Sequence, residues 1–459
     1  MRGAFQKEID GRRTLFSILL SVRTDFGSID SGVEPTKCEP WKITDDLVGR
    51  MKGIQGHRNS CYLDATLYAM FVQSTAFDRL LERPANRDDI PQYRELQRFH
   101  YVRADHIMKV RELLAKSLTH MRGLTSEEKD PEEVLTALFG QLLRAQPLVE
   151  LINLKDNKVD RTYLCPLIVD DWTAGVATTQ HLLERSMRSA NVKFAFPPKT
   201  LILQLPRYGQ QKLFDKILPL ERIEITGLVN NAVQACHGCG KPAEGMCPEC
   251  FLCKRVTLSE VRIENHSFEK LCWNAVHFFL AKTASPSTFY YLTVSYCVPC
   301  ATRVHYNAGE QDHAIRLFYP SGRPVKKPAV HRMVLSAVLC IETSHYVAFV
   351  RSLSGRWLFF DSMADREGLS DGFNVPQVKD CERMSWWLSQ AGWEKLRDAD
   401  EAGTMKAMLG KGSDVDPLVT RLLSDSYICF YHDEPSSHGS NSSSNLLNNM
   451  IQKVVKPLT

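Results

Sequence analysis

Apolar positions fall into two regimes along this chain. Between about residues 61 and 145 they recur at helical spacing, whereas 160 to 230 and 334 to 431 crowd them into β-branched and aromatic runs. Leu63, Leu67, Met70 and Phe71 stand at i, i+4, i+7 and i+8, one face of a helix that starts near Cys61. Asn59 and Ser60 just ahead are good capping residues, so the pattern predicts Cys61 at the helix N-terminus. A second start is written at Asp130-Pro131-Glu132-Glu133, with Asp as N-cap, Pro at N1 and Glu at N3. Val134, Leu135, Leu138 and Leu142 then give that helix its core-facing stripe. Leu201 to Leu205 and Tyr427 to Tyr431 read as central sheet strands. Helices grouped ahead of strands, rather than alternating with them, predict an α+β fold.

The strand-rich half adds a candidate chemistry. His345 to Val350 reads as a strand, Arg351 to Gly355 as a polar turn, and Arg356 to Phe360 as a second strand ending at Asp361. A hairpin with that loop sets His345 directly opposite Asp361, on one face of the sheet. Backbone N–H groups and the positive end of the helix dipole stabilise a thiolate at Cys61, and the thiolate is the nucleophilic form. A cysteine on a helix tip, a distant strand histidine and a carboxylate to orient it make the nucleophile, base and orienter of a papain-like thiol hydrolase. Core packing is the ordinary role of a lone cysteine, but the polar Asn59-Ser60 lead-in is poor core material.

The cysteine spacing points to metal. Cys236-x2-Cys239, Cys247-x2-Cys250 and Cys297-x2-Cys300 are followed by His305 and His313. Paired CxxC units closed by histidines suit tetrahedral zinc, and eight ligands make two four-coordinate structural sites. Cys253, Cys272, His266 and His277 are read as ordinary structural residues. Leu271 to Leu280, between the second and third pairs, is apolar and aromatic without turn chemistry.

Composition narrows the class. An apolar share of 44% and a charged share of 24% are globular averages. The net charge of +4 is too small and dispersed to indicate a nucleic acid or a membrane as partner. Leu15 to Val22, interrupted by Ser17 and Ser21, falls far short of the ~20 apolar residues of a membrane span. The 14 cysteines suit disulfides only in a secreted chain, and nothing in the sequence indicates secretion. Residues 1–48 lack a clear period and are expected to form a loose tail. The Ser- and Asn-rich stretch 434–459 is expected to stay disordered.

Longer phrases carry a resemblance. GIQGHRNSCYLDATLY (53–68), TSEEKDPEEVLTALF (125–139), LILQLPRYG (201–209), VLCIETSHYVAFV (338–350) and WLFFDSMADREG (357–368) resemble the ubiquitin-specific protease family, in that family's order. The resemblance implies a catalytic domain over 49–433, with a helical thumb and an antiparallel-sheet palm, and a B-box-like zinc module inserted at 230–320. It implies Cys61 as nucleophile, His345 as general base and Asp361 as orienting carboxylate. It also implies cross-braced zinc ligands, the first and third cysteine pairs on one ion, the second pair with His305 and His313 on the other. The implied function is a cysteine-type deubiquitinase, cutting isopeptide and peptide bonds at ubiquitin's C-terminal glycine and preferring linear chains and chains joined through ubiquitin's lysine sixty-three. Its partners would be ubiquitin, polyubiquitin chains and ubiquitinated signalling proteins, in the cytoplasm, perinuclear or cytoskeleton-associated positions included. The alternative is a weak or inactive zinc-stabilised ubiquitin-binding scaffold. One position departs from the family pattern: most members carry an asparagine five residues before the nucleophile, contributing to the oxyanion hole, and here Gly56 stands there. The remaining donor candidates are the Cys61 N–H, Asn59, His57 and Gln55.

Overall fold

The protein is described by a computed structural model that covers residues 48–71, 76–77, 101–169, 175–207, 214–253, 291–302, 316–317, 330–365 and 374–434, apart from one or two positions at a time within them. A nine-stranded sheet forms the frame. Its strands are β1 (Gly49–Arg50), β2 (Cys165–Pro166), β3 (Thr200–Gln204), β4 (Arg222–Glu224), β5 (Arg332–Glu342), β6 (His345–Arg351), β7 (Trp357–Asp365), β8 (Val375–Cys381) and β9 (Ser426–Asp433). The order across the sheet is β1, β8, β7, β6, β5, β9, β3, β2, with β4 alongside the first residues of β5. Every pairing is antiparallel except that of β2 with β3.

The central strands are apolar on both faces because both faces are covered. Tyr346, Ala348, Val350, Leu358, Phe360, Ile428 and Phe430 join the core beneath the helical layer. Val347, Phe349, Phe359, Val338, Cys429 and Tyr431 alternate with them into a second core. The helical layer comprises α1 (Cys61–Phe71), α2 (Ala104–Ser117) and α3 (Pro131–Ala137). The expected apolar stripe on α1 understates its burial, since all eleven of its residues are buried. It crosses β5, β6 and β7, and its Tyr68 ring stacks on Phe360 with centroids 4.0 Å apart. Asp130 caps α3 as its sequence predicts, its carboxylate accepting the Glu132 N–H at 2.8 Å. The helix does not run on to Leu142 as one α-helix: Leu138–Leu142 widens into a π-turn.

The second core is covered by Thr179–Ser189, Gln390–Glu401 and Pro417–Asp425. The strand-rich reading of 334–431 therefore needs correction, for helices occupy much of the chain between Met384 and Asp425. Gly245–Cys253 pairs with Tyr291–Tyr296 and Arg316–Leu317 in a separate three-stranded sheet within the span expected for the insertion. No helix among the described residues is long and apolar enough to cross a membrane. The expected N-terminal and C-terminal tails lie outside the described residues, save Val48 and Glu434.

Candidate active site

The chain enters the site through a strained loop. Arg58 (φ 47°) and Asn59 (φ 57°) are both left-handed, a conformation that costs a non-glycine residue about 1–3 kcal/mol. Polar bonds hold the loop in place. Ser60 Oγ accepts the His57 N–H at 2.9 Å and donates to Asp64 Oδ2 at 2.7 Å, while the Ser60 carbonyl accepts the Asp64 N–H. Cys61 is thus the first residue of α1, where sequence reading put it. Asn59 does not serve as side-chain cap; its amide donates to the Ser126 carbonyl at 3.2 Å.

The Cys61 sulfur lies against the start of β6. Its S–H points to the Ser344 carbonyl at 3.9 Å, and the Tyr346 N–H also bonds to it, so the backbone on both flanks of His345 touches the thiol. Burial pushes the Cys61 pKa up to about 12, and the Tyr346 and Tyr62 N–H groups recover only part of that shift. Asp64 and Glu128 nearby raise it further. The helix-tip thiolate expected from sequence is therefore a neutral thiol here, because desolvation outweighs the backbone donors.

His345 Nε2 and Asp361 Oδ1 are 2.7 Å apart, and both residues are buried. The pairing differs from the expected hairpin. Ala348 faces Phe360 and Arg351 faces Trp357, which moves the five-residue loop to 352–356. Extended by one residue, that register puts Asp361 opposite Val347, so His345 is its diagonal neighbour two positions away. A two-residue shift keeps both side chains on one face, and long side chains span the diagonal. Burial alone would raise the Asp361 carboxyl, but the bond and charge of His345 and the Met363 N–H at 2.8 Å hold it below its usual value. With Nε2–H given to Asp361, Nδ1 is the basic nitrogen of the ring.

Gly56 is required by close approach. Its N–H donates to the Ser362 carbonyl at 3.1 Å, and its own carbonyl accepts the Asn374 backbone N–H at 3.0 Å and side-chain amide at 3.2 Å. A Cβ there would lie 2.8 Å from the Ser362 carbonyl oxygen, so no asparagine fits without moving β7. Among the other oxyanion candidates, Gln55 Oε1 accepts the Ala104 N–H at 3.3 Å and the Asn59 amide is spent on Ser126. The Cys61 N–H sits in the first helical turn, where N–H groups lack intrahelical partners.

Sequence reasoning missed Asp64, Arg111 and Glu128. Asp64 is fully buried, and desolvation lifts its carboxyl to about 8 against the pull of Ser60, Ser362 and Arg111. Arg111 of α2 is also fully buried, with its guanidinium 5.6 Å above the Tyr62 ring. Glu128 lies beside His345 with the Ser344 hydroxyl bonded to it, and partial burial raises its carboxyl.

Away from this cleft, Cys236, Cys239, Cys297 and Cys300 bring their sulfurs within 4.8 Å of one another. A zinc ion with bonds of about 2.3 Å needs sulfurs about 3.8 Å apart at tetrahedral corners, and Cys239 and Cys297 are already at 3.6 Å. Gly240 at φ 71° donates to the Cys236 carbonyl and closes the first CxxC turn. The donor set therefore fits zinc, and it joins the first pair to the third. Cys247 is the last paired residue before an irregularity of Gly245–Cys253 and Cys250 lies within it, the backbone alone being described there. His305 and His313 lie outside the described residues.

No family model matches the chain. Over 415 residues, 85% of the chain, it is 34% identical to the Mus musculus protein named ubiquitin carboxyl-terminal hydrolase CYLD. It is 35% identical over 416 residues to the Homo sapiens protein of the same name. The chain is thus similar to part of CYLD. It spans 39% of the length of the mouse relative and 38% of the human one. Among solved structures, a yeast SAGA DUB module gives a TM-score of 0.37 at 9% identity, covering 89% of this chain and 72% of that one. A SAGA DUB module bound to monoubiquitin gives 0.36 at 11%, with the same coverages.

The buried Asp64 makes a pH signature. In an unfolded chain it ionises near 3.8, in the fold near 8, so its contribution to stability is fully present below 3.8 and is lost as pH rises toward 8. Asp64→Asn should remove a slope of about 1 kcal/mol per pH unit across that window. Urea melts at pH 5 and pH 7.5 measure it, and an equal difference between the two proteins at both pH values would refute the assignment.

Proposed function

We propose that this chain is a cysteine-type deubiquitinase acting at the C-terminal glycine of ubiquitin. The observation that carries the reading is Cys61 packed between Ser344 and Tyr346 while His345 is held by Asp361 at 2.7 Å. The CYLD homology supplies the substrate class. In this mechanism the buried thiol passes its proton to His345 as it attacks, since a thiol lifted to about 12 holds little standing thiolate at neutral pH. Asp361 stabilises the imidazolium that forms and fixes its tautomer. The tetrahedral oxyanion is met by backbone N–H groups at the head of α1, because Gly56 offers no side-chain donor. His345 then protonates the leaving lysine amine or peptide nitrogen, and water hydrolyses the thioester.

The finer reading keeps linear chains and chains joined through lysine sixty-three of ubiquitin as preferred substrates, and ubiquitinated signalling proteins as partners. A free nucleophilic thiol and a four-thiol cluster belong in a reducing compartment, which supports the cytoplasm as the setting. We propose two structural zinc ions. The first rests on the four-sulfur cluster; the second, on Cys247, Cys250, His305 and His313, rests on spacing alone. Four protein ligands leave no open position for a catalytic water, so the ions stabilise the module and take no part in hydrolysis. Gly56 and the buried Cys61 favour the second reading, an inactive zinc-stabilised scaffold that binds ubiquitin.

A ubiquitin probe with a C-terminal electrophile separates the two. It should label the native chain and fail on Cys61→Ala; folded native chain that binds ubiquitin without being labelled would be the scaffold. Asp361→Asn should lower kcat by roughly 10³–10⁴-fold with KM little changed. An unchanged kcat in hydrolysis of a ubiquitin C-terminal fluorogenic amide would mean another residue orients His345. Elemental analysis should find about two zinc ions per chain, and Cys236→Ala with Cys239→Ala should retain much of the hydrolysis. Hydrolysis wholly dependent on metal would overturn the structural role.

A further inference from the structure

The guanidinium of Arg111 is completely buried, and no carboxylate among the described residues forms an ion pair with it. It is spent instead on four backbone carbonyls. Nη1 donates to His57 at 3.2 Å and to Arg58 at 2.7 Å, Nη2 to Glu127 at 3.0 Å, and Nε to Leu124. Two of those carbonyls belong to the strained loop ahead of Cys61; the other two belong to the segment that also takes the Asn59 amide at Ser126 and the Tyr62 hydroxyl at Leu124. One cation thus fastens the lead-in of the nucleophile to a second segment of chain.

The consequence follows from peptide geometry. A trans peptide is planar, and its C=O and N–H point in opposite directions. Holding the His57 and Arg58 carbonyls fixes the Arg58 and Asn59 N–H groups on the other side of the loop. If either plane rotates, a carbonyl oxygen takes the place of a donor. That matters here because Gly56 has no side-chain donor, its N–H is given to Ser362, and the Asn59 amide is committed to Ser126. We propose that Arg111 is a positioning residue for the reaction at Cys61: it locks the peptide planes of His57 and Arg58 so that the loop and the first turn of α1 present N–H groups to the developing oxyanion. Charge alone would not do this. A planar fork reaches several carbonyls at fixed angles, whereas an ammonium is a compact point with rotating donors.

The inference rests on the proposed hydrolysis, and the test keeps the two apart. Arg111→Lys is compared with the native chain in four measurements: thermal melting, ubiquitin affinity in a Cys61→Ala background, alkylation of Cys61 by iodoacetamide, and hydrolysis of a ubiquitin C-terminal fluorogenic amide. Alkylation needs the thiol and His345 but no oxyanion donors. The expected result is a kcat roughly 100-fold lower, the scale of one lost oxyanion donor, with affinity and alkylation rate nearly unchanged. Should Arg111→Lys not stay folded, Arg58→Gly is added to it, since glycine adopts the left-handed turn without the Cβ penalty. That double variant should recover folding and keep the low kcat. A native kcat in either folded variant overturns the clamp, as does a parallel fall of affinity, alkylation and kcat. A native chain that is alkylated but hydrolyses no ubiquitin amide overturns the proposed function, and the clamp with it.

Discussion

A helix buried on every side must satisfy its polar end inside the protein, and that constraint shapes the head of α1. Four N–H groups lack intrahelical partners at any helix start, and this helix is buried from its first residue. The Ser60 carbonyl accepts the Leu63 and Asp64 N–H groups, and Arg111 fixes the carbonyls of the loop just ahead of them. The same burial that holds Cys61 in place also protonates it. Rigidity and ready reactivity are therefore opposed at this thiol, and in the proposed reaction His345 with its buried carboxylate reconciles them.

Much of this was readable from residue order, for identifiable reasons. Capping chemistry is local, so Asn59-Ser60 and Asp130-Pro131 mark helix starts without knowledge of anything distant. The same signature at Asp416-Pro417 opens a helix that the strand-rich reading passes over, because the apolar run Tyr427–Tyr431 directly after it dominates the window. Facing of His345 and Asp361 was also legible, since a shift of two residues preserves parity; the register itself depended on where the turn closed, which side-chain pattern does not specify.

The residues that escaped are those whose role is set by other segments. Arg111 falls between Ile107 and Leu114 on the buried face of α2, a discordant cation that an amphipathic reading assigns to the surface. Asp64 reads as an ordinary first-turn acid, and only the all-round burial of α1, outweighing the bonds from Ser60 and Ser362, lifts its carboxyl so far. Gly56 was visible as a departure, but its reason is the approach of β7, over 300 positions away.

The four-sulfur cluster ties Cys239 to Cys297 across 58 positions. A clasp of that kind separates the length of the enclosed chain from the geometry of the module's base. Loop-closure cost grows only with the logarithm of length, about 0.6 kcal/mol for each doubling. Sequence between the second and third cysteine pairs can therefore lengthen, drift and change in character while the sulfurs stay in register. With a metal held on those four thiols, the segment between the pairs is a place where the surface can vary while the base of the module stays fixed.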